Sequence, residues 1–186
     1  MTAQNRKKSS ILIFDTNIFL LGVDINLFPN KIYTTPEIIS EIEVKRHESR
    51  NRNIINRIQV AIESRKLIIK SPSEKYVNNT KKTAMNTGDL KALSDQDYSV
   101  IALALELMNS QPFDIEIFTN DYSIQNVCFE LNITVRSLFK SGIEHQIKFE
   151  VYCPHCQTIH DSDKLNDICD VCGSRLKRRP KKDFQN

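Results

Sequence analysis

Two short apolar runs in this chain each end in a carboxylate set among Thr and Asn. Residues 11–14 (ILIF) run into Asp15-Thr16-Asn17, and residues 115–118 (IEIF) into Thr119-Asn120-Asp121. Two more acids stand near helix-start signals, Glu41 in TTPEIISEI and Asp97 in LSDQDYSVIALAL. Carboxylates gathered in one crevice repel unless cations lie among them, and all-oxygen donor sets select Mg²⁺ or Mn²⁺. The chemistry open to such a set is metal-assisted attack on a phosphodiester. Each acid also has an ordinary explanation. Asp15 suits an Asx turn, Glu41 a solvated helix face, Asp97 the third position of a helix headed by Ser94, and Asp121 a helix cap.

A second set is sulfur. Four of the five cysteines fall in CPHC at 153–156 and CDVC at 169–172. Each tight C-x-x-C turn lets two thiolates converge on one ion, and two turns complete a tetrahedron with no open position, a structural Zn²⁺ site. A segment of about 35 residues is too small for an adequate core, so a metal would supply its folding energy. Gly173 suits the left-handed turn after the second pair, and Val151-Tyr152 the entry strand of a hairpin. His155 and His160 are possible substitute ligands but, beside four well-spaced cysteines, read as surface residues, and Cys128 reads as a small buried hydrophobe.

These groups need a frame. Strand-like runs at 11–14, 31–34, 67–70, 115–118 and 133–135 alternate with helical patterns at 36–46, 51–65, 94–109 and 122–131. Short strands separated by helices predict an α/β fold, a parallel sheet with helices on both faces. Ligands in such sheets gather beyond the carboxyl ends of the strands, where Asp15 and Asp121 fall. Thr35 and Pro36 mark one helix start. Residues 71–92 lack clear periodicity and read as a mobile loop with at most one short helix.

The net charge of +3 conceals a segregation. Residues 45–91 hold twelve Lys/Arg against four Asp/Glu, a balance of +8, and residues 92–150 hold three against nine, a balance of −6. A basic face beside an acidic cluster suits a polyanion held near cations, although two solvated helix faces would give the same pattern. No apolar run approaches the ~20 residues of a membrane span, and the basic start MTAQNRKKSS has no apolar stretch behind it. A cytoplasmic protein with no membrane partner is expected.

The segments FDTN, PEIISEIE, LSDQDYSVIALALEL and FTNDYSIQNV resemble the successive motifs of PIN-domain nucleases. Followed by C-x2-C…C-x2-C, the arrangement resembles the Nin-one-binding protein family, endonucleases that trim the 3′ end of small-subunit ribosomal RNA. The resemblance runs from about residue 11 to 179. It implies a PIN-like domain at 10–140, a linker at 141–150, a zinc ribbon at 151–179 and a basic tail at 180–186. It implies that Asp15, Glu41, Asp97 and Asp121 bind one or two catalytic Mn²⁺ or Mg²⁺ ions, and that Thr16, Asn17 and Thr119 orient them. Asn120 stands where some relatives carry a further Asp; it could bond a water on the metal but supplies less charge. Asp89 and Asp95 are the alternatives for the third acid. The implied products carry a 5′-phosphate and a 3′-hydroxyl. The expected partners are precursor RNA, the pre-ribosomal small subunit and its assembly factors.

The basic stretch 45–91 and the tail residues Lys177, Arg178, Arg179, Lys181 and Lys182 are the expected grips on the RNA backbone. A toxin ribonuclease of a toxin–antitoxin pair and a non-catalytic RNA- or ribosome-binding adaptor are the rival readings. A shorter chain without a ribbon would mark the first, and loss of an acid the second.

Overall fold

The computed structural model describes residues 10–44, 52–139 and 141–181. Five strands, β1 (Ser10–Phe14), β2 (Ile32–Thr34), β3 (Leu67–Ile69), β4 (Asp114–Phe118) and β5 (Thr134–Arg136), form one parallel sheet in the order β3-β2-β1-β4-β5. Among the described residues, six α-helices connect them: α1 (Thr16–Leu20), α2 (Pro36–Val44), α3 (Arg52–Glu63), α4 (Glu74–Thr87), α5 (Asp95–Ser110) and α6 (Tyr122–Glu130). The chain winds outward from β1 to β3, then returns to pair β4 on the other side of β1. That reversal makes the crevice beyond β1 and β4 the natural ligand site.

The strands are apolar because both sheet faces are covered, so Ile13, Phe14, Ile32 and Ile117 are fully enclosed. Helix α5 is buried along most of its length, from Tyr98 to Leu105 and again at Leu107. Under the strand ends, Phe14 meets Phe19, Phe28 and Phe118 with ring centroids 5.7, 5.1 and 5.3 Å away. This aromatic floor fixes where the chain leaves β1 and β4.

Residues 71–92 depart from the expected loop. Most of them form α4, fourteen residues long, preceded by Ser73 and ended by Gly88 in the left-handed conformation. The helix escapes a search for apolar periodicity because its buried face is Thr80, Ala84 and Thr87. Each threonine returns its hydroxyl to the helix backbone, Thr80 to the Tyr76 carbonyl and Thr87 to that of Ala84, at 2.9 and 3.2 Å. Small and self-satisfied side chains allow close helix packing without reading as hydrophobic.

The C-terminal segment is a ribbon of three antiparallel strands, β6 (Phe149–Tyr152), β7 (Ile159–His160) and β8 (Lys177–Pro180), ordered β7-β6-β8. Val151, Leu165 and Leu176 with two cysteines are its whole buried core. The expected boundaries shift accordingly. The ribbon begins at Phe149, two residues before the expected start, and its third strand ends at Pro180, one residue past the expected end. Lys182 lies outside the described residues, as do residues 45–51 of the expected basic surface. The segment before β6 is pinned to α6: the Ile143 amide donates to Gln125 Oε1 and the Ile147 amide to Asn126 Oδ1, both at 2.9 Å. Among the described residues, no helix is long and apolar enough to cross a membrane.

Candidate active site

Parallel pairing of β1 with β4 sets Phe14 beside Phe118, so the next residues of each strand meet at one end of the sheet. The Asp15 amide donates to the Phe118 carbonyl at 3.2 Å. Asp15 then heads α1, in extended backbone, with Oδ1 accepting from the Thr16 amide at 2.6 Å. Its other oxygen accepts from Asn17 Nδ2 at 2.6 Å and from the Thr119 hydroxyl at 2.7 Å. The same Thr119 oxygen accepts from the Asp121 amide at 3.0 Å. One hydroxyl therefore ties the acid after β1 to the acid after β4. Asp121 heads α6 and accepts from the Ser123 amide at 2.7 Å.

The two helix acids approach from α2 and α5. Glu41 Oε2 accepts from the Thr16 hydroxyl at 2.6 Å, which links α2 to the start of α1. Asp97 Oδ2 accepts from the Ser94 amide and hydroxyl at 2.7 and 2.8 Å, completing a capping box. The capping explanation and a place in the crevice are thus compatible: one carboxylate oxygen serves the cap.

Electrostatics bind the four into one cluster. Asp15 is only 3% exposed. Burial pushes its pKa up to about 7, and the fields of Asp97 and Asp121 add to that, against hydrogen bonds from Thr119 and Thr16 that lower it. Asp97 is likewise held above the ordinary carboxylate range, first by burial and then by Asp121 and Glu41. No three of these acids bring oxygens within 4.8 Å of one another, unlike the cysteines below. An all-oxygen set of four acids fits one or two hard divalent cations, with water filling the gaps.

The remaining polar residues divide. Thr16, Asn17 and Thr119 hold the acids. Asn120 instead turns away: its Oδ1 accepts from the Leu138 amide at 2.9 Å, and its own amide donates to Asn17 Oδ1 at 3.2 Å. It therefore fixes the loop after β4 against the chain after β5 through that oxygen. Asp95 is exposed and lies 3.8 Å from Lys81. Asp89 is buried elsewhere, and Cys128 is buried with its thiol pushed above the usual range by desolvation.

Asp89 reveals what the linear sequence hides. It is fully enclosed after Gly88 and accepts from Asn126 Nδ2 at 2.6 Å and from Arg178 of β8 at 2.7 Å. Arg178 also donates to Ser123 Oγ at 3.3 Å and stacks 4.5 Å over the Phe149 ring. Gly88 is required here, since a Cβ would lie 2.3 Å from the Phe149 carbonyl oxygen. Arg179 pairs with Glu150 at 2.8 Å and stacks on Tyr152. These two arginines, expected to grip RNA phosphates, are engaged within the ribbon and its junction. Only the distant pairing of Asp89 with Arg178 marks this clamp, and neither residue carries a local signal for it.

In the ribbon, the four cysteine sulfurs lie within 4.8 Å of one another, with Cys153–Cys172 at 3.3 Å and Cys156–Cys169 at 3.7 Å. Zn–S bonds of about 2.3 Å imply sulfur separations of roughly 3.8 Å in a tetrahedron, so the set fits zinc. Two matching turns build it, closed by Gln157 and Gly173 amides on the Cys153 and Cys169 carbonyls, each at 2.9 Å. Gly173 has φ +76°, as its position suggests, and Gln157 adopts φ +64° without being glycine. Hydrogen bonds from Thr158 lower the Cys156 thiol to about 6, which favours the ligating thiolate. His155 is exposed, but His160 is not the surface residue expected. Its side chain is 6% exposed, and Nε2 lies 3.5 Å from Cys169 Sγ. Metal analysis of the purified protein should find one zinc per chain, lost with Cys153→Ser plus Cys169→Ser. A Cys153–Cys169 disulfide in protein purified under reducing conditions would refute the site.

A family model described as "PIN domain of ribonuclease" matches residues 12–107. "Endoribonuclease Nob1" of Pyrococcus abyssi is 34% identical over 92% of this chain and 94% of its own length. "Endoribonuclease Nob1" of Methanocaldococcus jannaschii is 34% identical over 91% of this chain and 77% of the relative. "Ribonuclease VapC1" of Thermoplasma acidophilum is 30% identical over 90% of this chain and 77% of the relative.

Proposed function

Because the chain belongs to the PIN-domain endoribonucleases of the Nin-one-binding (Nob1) family, we propose that it cuts the precursor of small-subunit (16S-type) ribosomal RNA at its 3′ end. The observation that carries this reading is likeness to "Endoribonuclease Nob1" over nine-tenths of the chain, in a molecule that joins a PIN fold to a four-cysteine ribbon. The substrate would be single-stranded RNA within the pre-ribosomal small subunit, met in the cytoplasm together with assembly factors.

Asp15, Glu41, Asp97 and Asp121 would hold Mn²⁺ or Mg²⁺. A divalent cation held there supplies charge against the scissile phosphate and lowers the pKa of water. The chain's own part is placement. Thr119 locks Asp15 and the Asp121 backbone together, Thr16 holds Glu41, and Ser94 fixes one oxygen of Asp97. Lys177 and Lys181, both exposed beside the paired arginines, are the described residues of the expected tail left to meet RNA phosphates.

The likeness to "Ribonuclease VapC1" favours a second reading, a toxin-type ribonuclease. One assay separates the two. RNA spanning the mature 3′ end of the small-subunit RNA should be cut at one position with Mn²⁺, and not at all with EDTA. An unrelated single-stranded RNA of equal length should survive. Equal cutting of both RNAs would remove the ribosomal reading, and cutting that persists in EDTA would remove the metal.

A further inference from the structure

The junction of α6 with the ribbon leaves a cleft of about 310 Å³ that the acid cluster does not use. Its walls are Tyr122, Ile143, Ile147, Phe149 and Arg178. The exposed lining is mostly apolar. The Arg178 guanidinium forms part of one wall, held over Phe149 and by its bond to Asp89. The polar groups at the floor are already engaged. Asn126 donates to Asp89 and, at 2.7 Å, to the Ile147 carbonyl, and its Oδ1 accepts from the Ile147 amide. What remains on offer is chiefly surface for stacking.

Position says what would stack there. Tyr122 follows Asp121 directly, so its Cα stands about 3.8 Å from that of a candidate metal ligand. It is nevertheless 54% exposed, and its hydroxyl donates to the Ser141 carbonyl at 3.3 Å, which holds the ring at the cleft's mouth. An isolated exposed aromatic is commonplace on a protein surface. This one follows Asp121 of the acid cluster directly and shares its cleft with Phe149 and Arg178. An RNA strand suits both features, with a phosphate at the cations the acids would hold and the neighbouring base in the cleft. A peptide side chain would fill the apolar space but brings no phosphate to those cations.

We propose that the cleft is a stacking slot for one unpaired base of the RNA strand, beside the scissile phosphate, taken with little regard to base identity. The proposal rests on the ribonuclease reading above. Bases stack on aromatic faces and on guanidinium planes, and such stacking tolerates any base because each has a π face.

The test is binding of a short adenylate RNA to the full chain, without added divalent cation, by the parent, Tyr122→Ala and Tyr122→Phe. Tyr122→Ala should weaken binding about tenfold, within the range of one lost stacking contact. Tyr122→Phe should bind like the parent, because the ring face and not the hydroxyl makes the contact. The salt dependence should keep its slope in both, since no phosphate contact is lost. Parental affinity in Tyr122→Ala would leave the cleft to a peptide side chain or to nothing, and overturns the slot. Equal weakening by Phe overturns it too, because the loss would then trace to the Ser141 tether. A parent that cuts RNA while Tyr122→Ala binds normally sinks the slot alone. A parent that neither binds nor cuts any RNA sinks the ribonuclease reading as well.

Discussion

Asp15→Asn should abolish RNA cleavage, lowering the rate by more than about a hundredfold, the smallest loss usual when one preorganised electrostatic group is removed. The substitution keeps the side chain's shape but removes the charge at the centre of the cluster. Stability should respond differently. In the parent, Asp15 accepts from Thr16, Asn17 and Thr119, and an amide in its place turns one donor toward two others. Against that loss stands relief from burying a charge. The sign with pH follows from a folded pKa of about 7 against an ordinary value of 3.8. A raised carboxyl contributes stability that is present below the unfolded value and lost as pH rises through the folded one. Without added divalent cation, the parent should therefore weaken relative to the Asn variant between about pH 4 and pH 7, and the difference should level off above. Urea unfolding across that range reads it. For the same reason Mn²⁺ affinity should fall as pH drops below about 7, because protons compete for Asp15. Cleavage by Asp15→Asn at the parental rate in Mn²⁺ would show that the site lies elsewhere.

The second large effect lies at the junction. Arg178→Ala should destabilise the chain by about 3–5 kcal/mol, the usual cost of leaving one member of a buried ion pair alone. For a protein of this size that lowers Tm by on the order of 10 °C. Asp89 is fully buried and its pKa is raised, chiefly by desolvation, even with Arg178 beside it. Burial therefore outweighs attraction at Asp89, and buried pairs of this kind often lose little when both members are replaced together. Removal of the pair should cost less than its division. Asp89→Asn combined with Arg178→Met should recover much of the loss, since the methionine can still cover Phe149 and the amide carries no charge. Thermal unfolding of the single and double variants decides this. A double variant as unstable as Arg178→Ala would mean that the guanidinium acts through Ser123 or Phe149, not through Asp89. The same result bears on RNA binding: a multiple alanine variant that includes Arg178 or Arg179 would confuse lost folding with lost phosphate contacts.

The sequence by itself determined whatever is written in neighbouring residues. Strand β1 ends at an Asp because a short apolar run gives way to a residue that can cap α1. Ser94 and Asp97 form their capping box within one turn, and C-x-x-C brings two sulfurs together through a turn of fixed length. Chain alternation then made the sheet parallel, and parallel pairing placed Asp15 and Asp121 at the same end. Tertiary structure decided the rest. Helix α4 was hidden because its buried face is threonine and alanine, whose fit depends on the helices opposite and not on hydrophobicity. Arg178 read only as a grip on RNA phosphates because its buried partner stands 89 positions earlier. Asn120 read as a residue of the crevice, and only the path of the chain after β5 turned its side chain to the Leu138 amide. His160 read as surface, and the ribbon's fold laid it against Cys169. In each case the deciding contact joins residues distant in the chain, and its strength comes from burial, which exists only once the elements have packed.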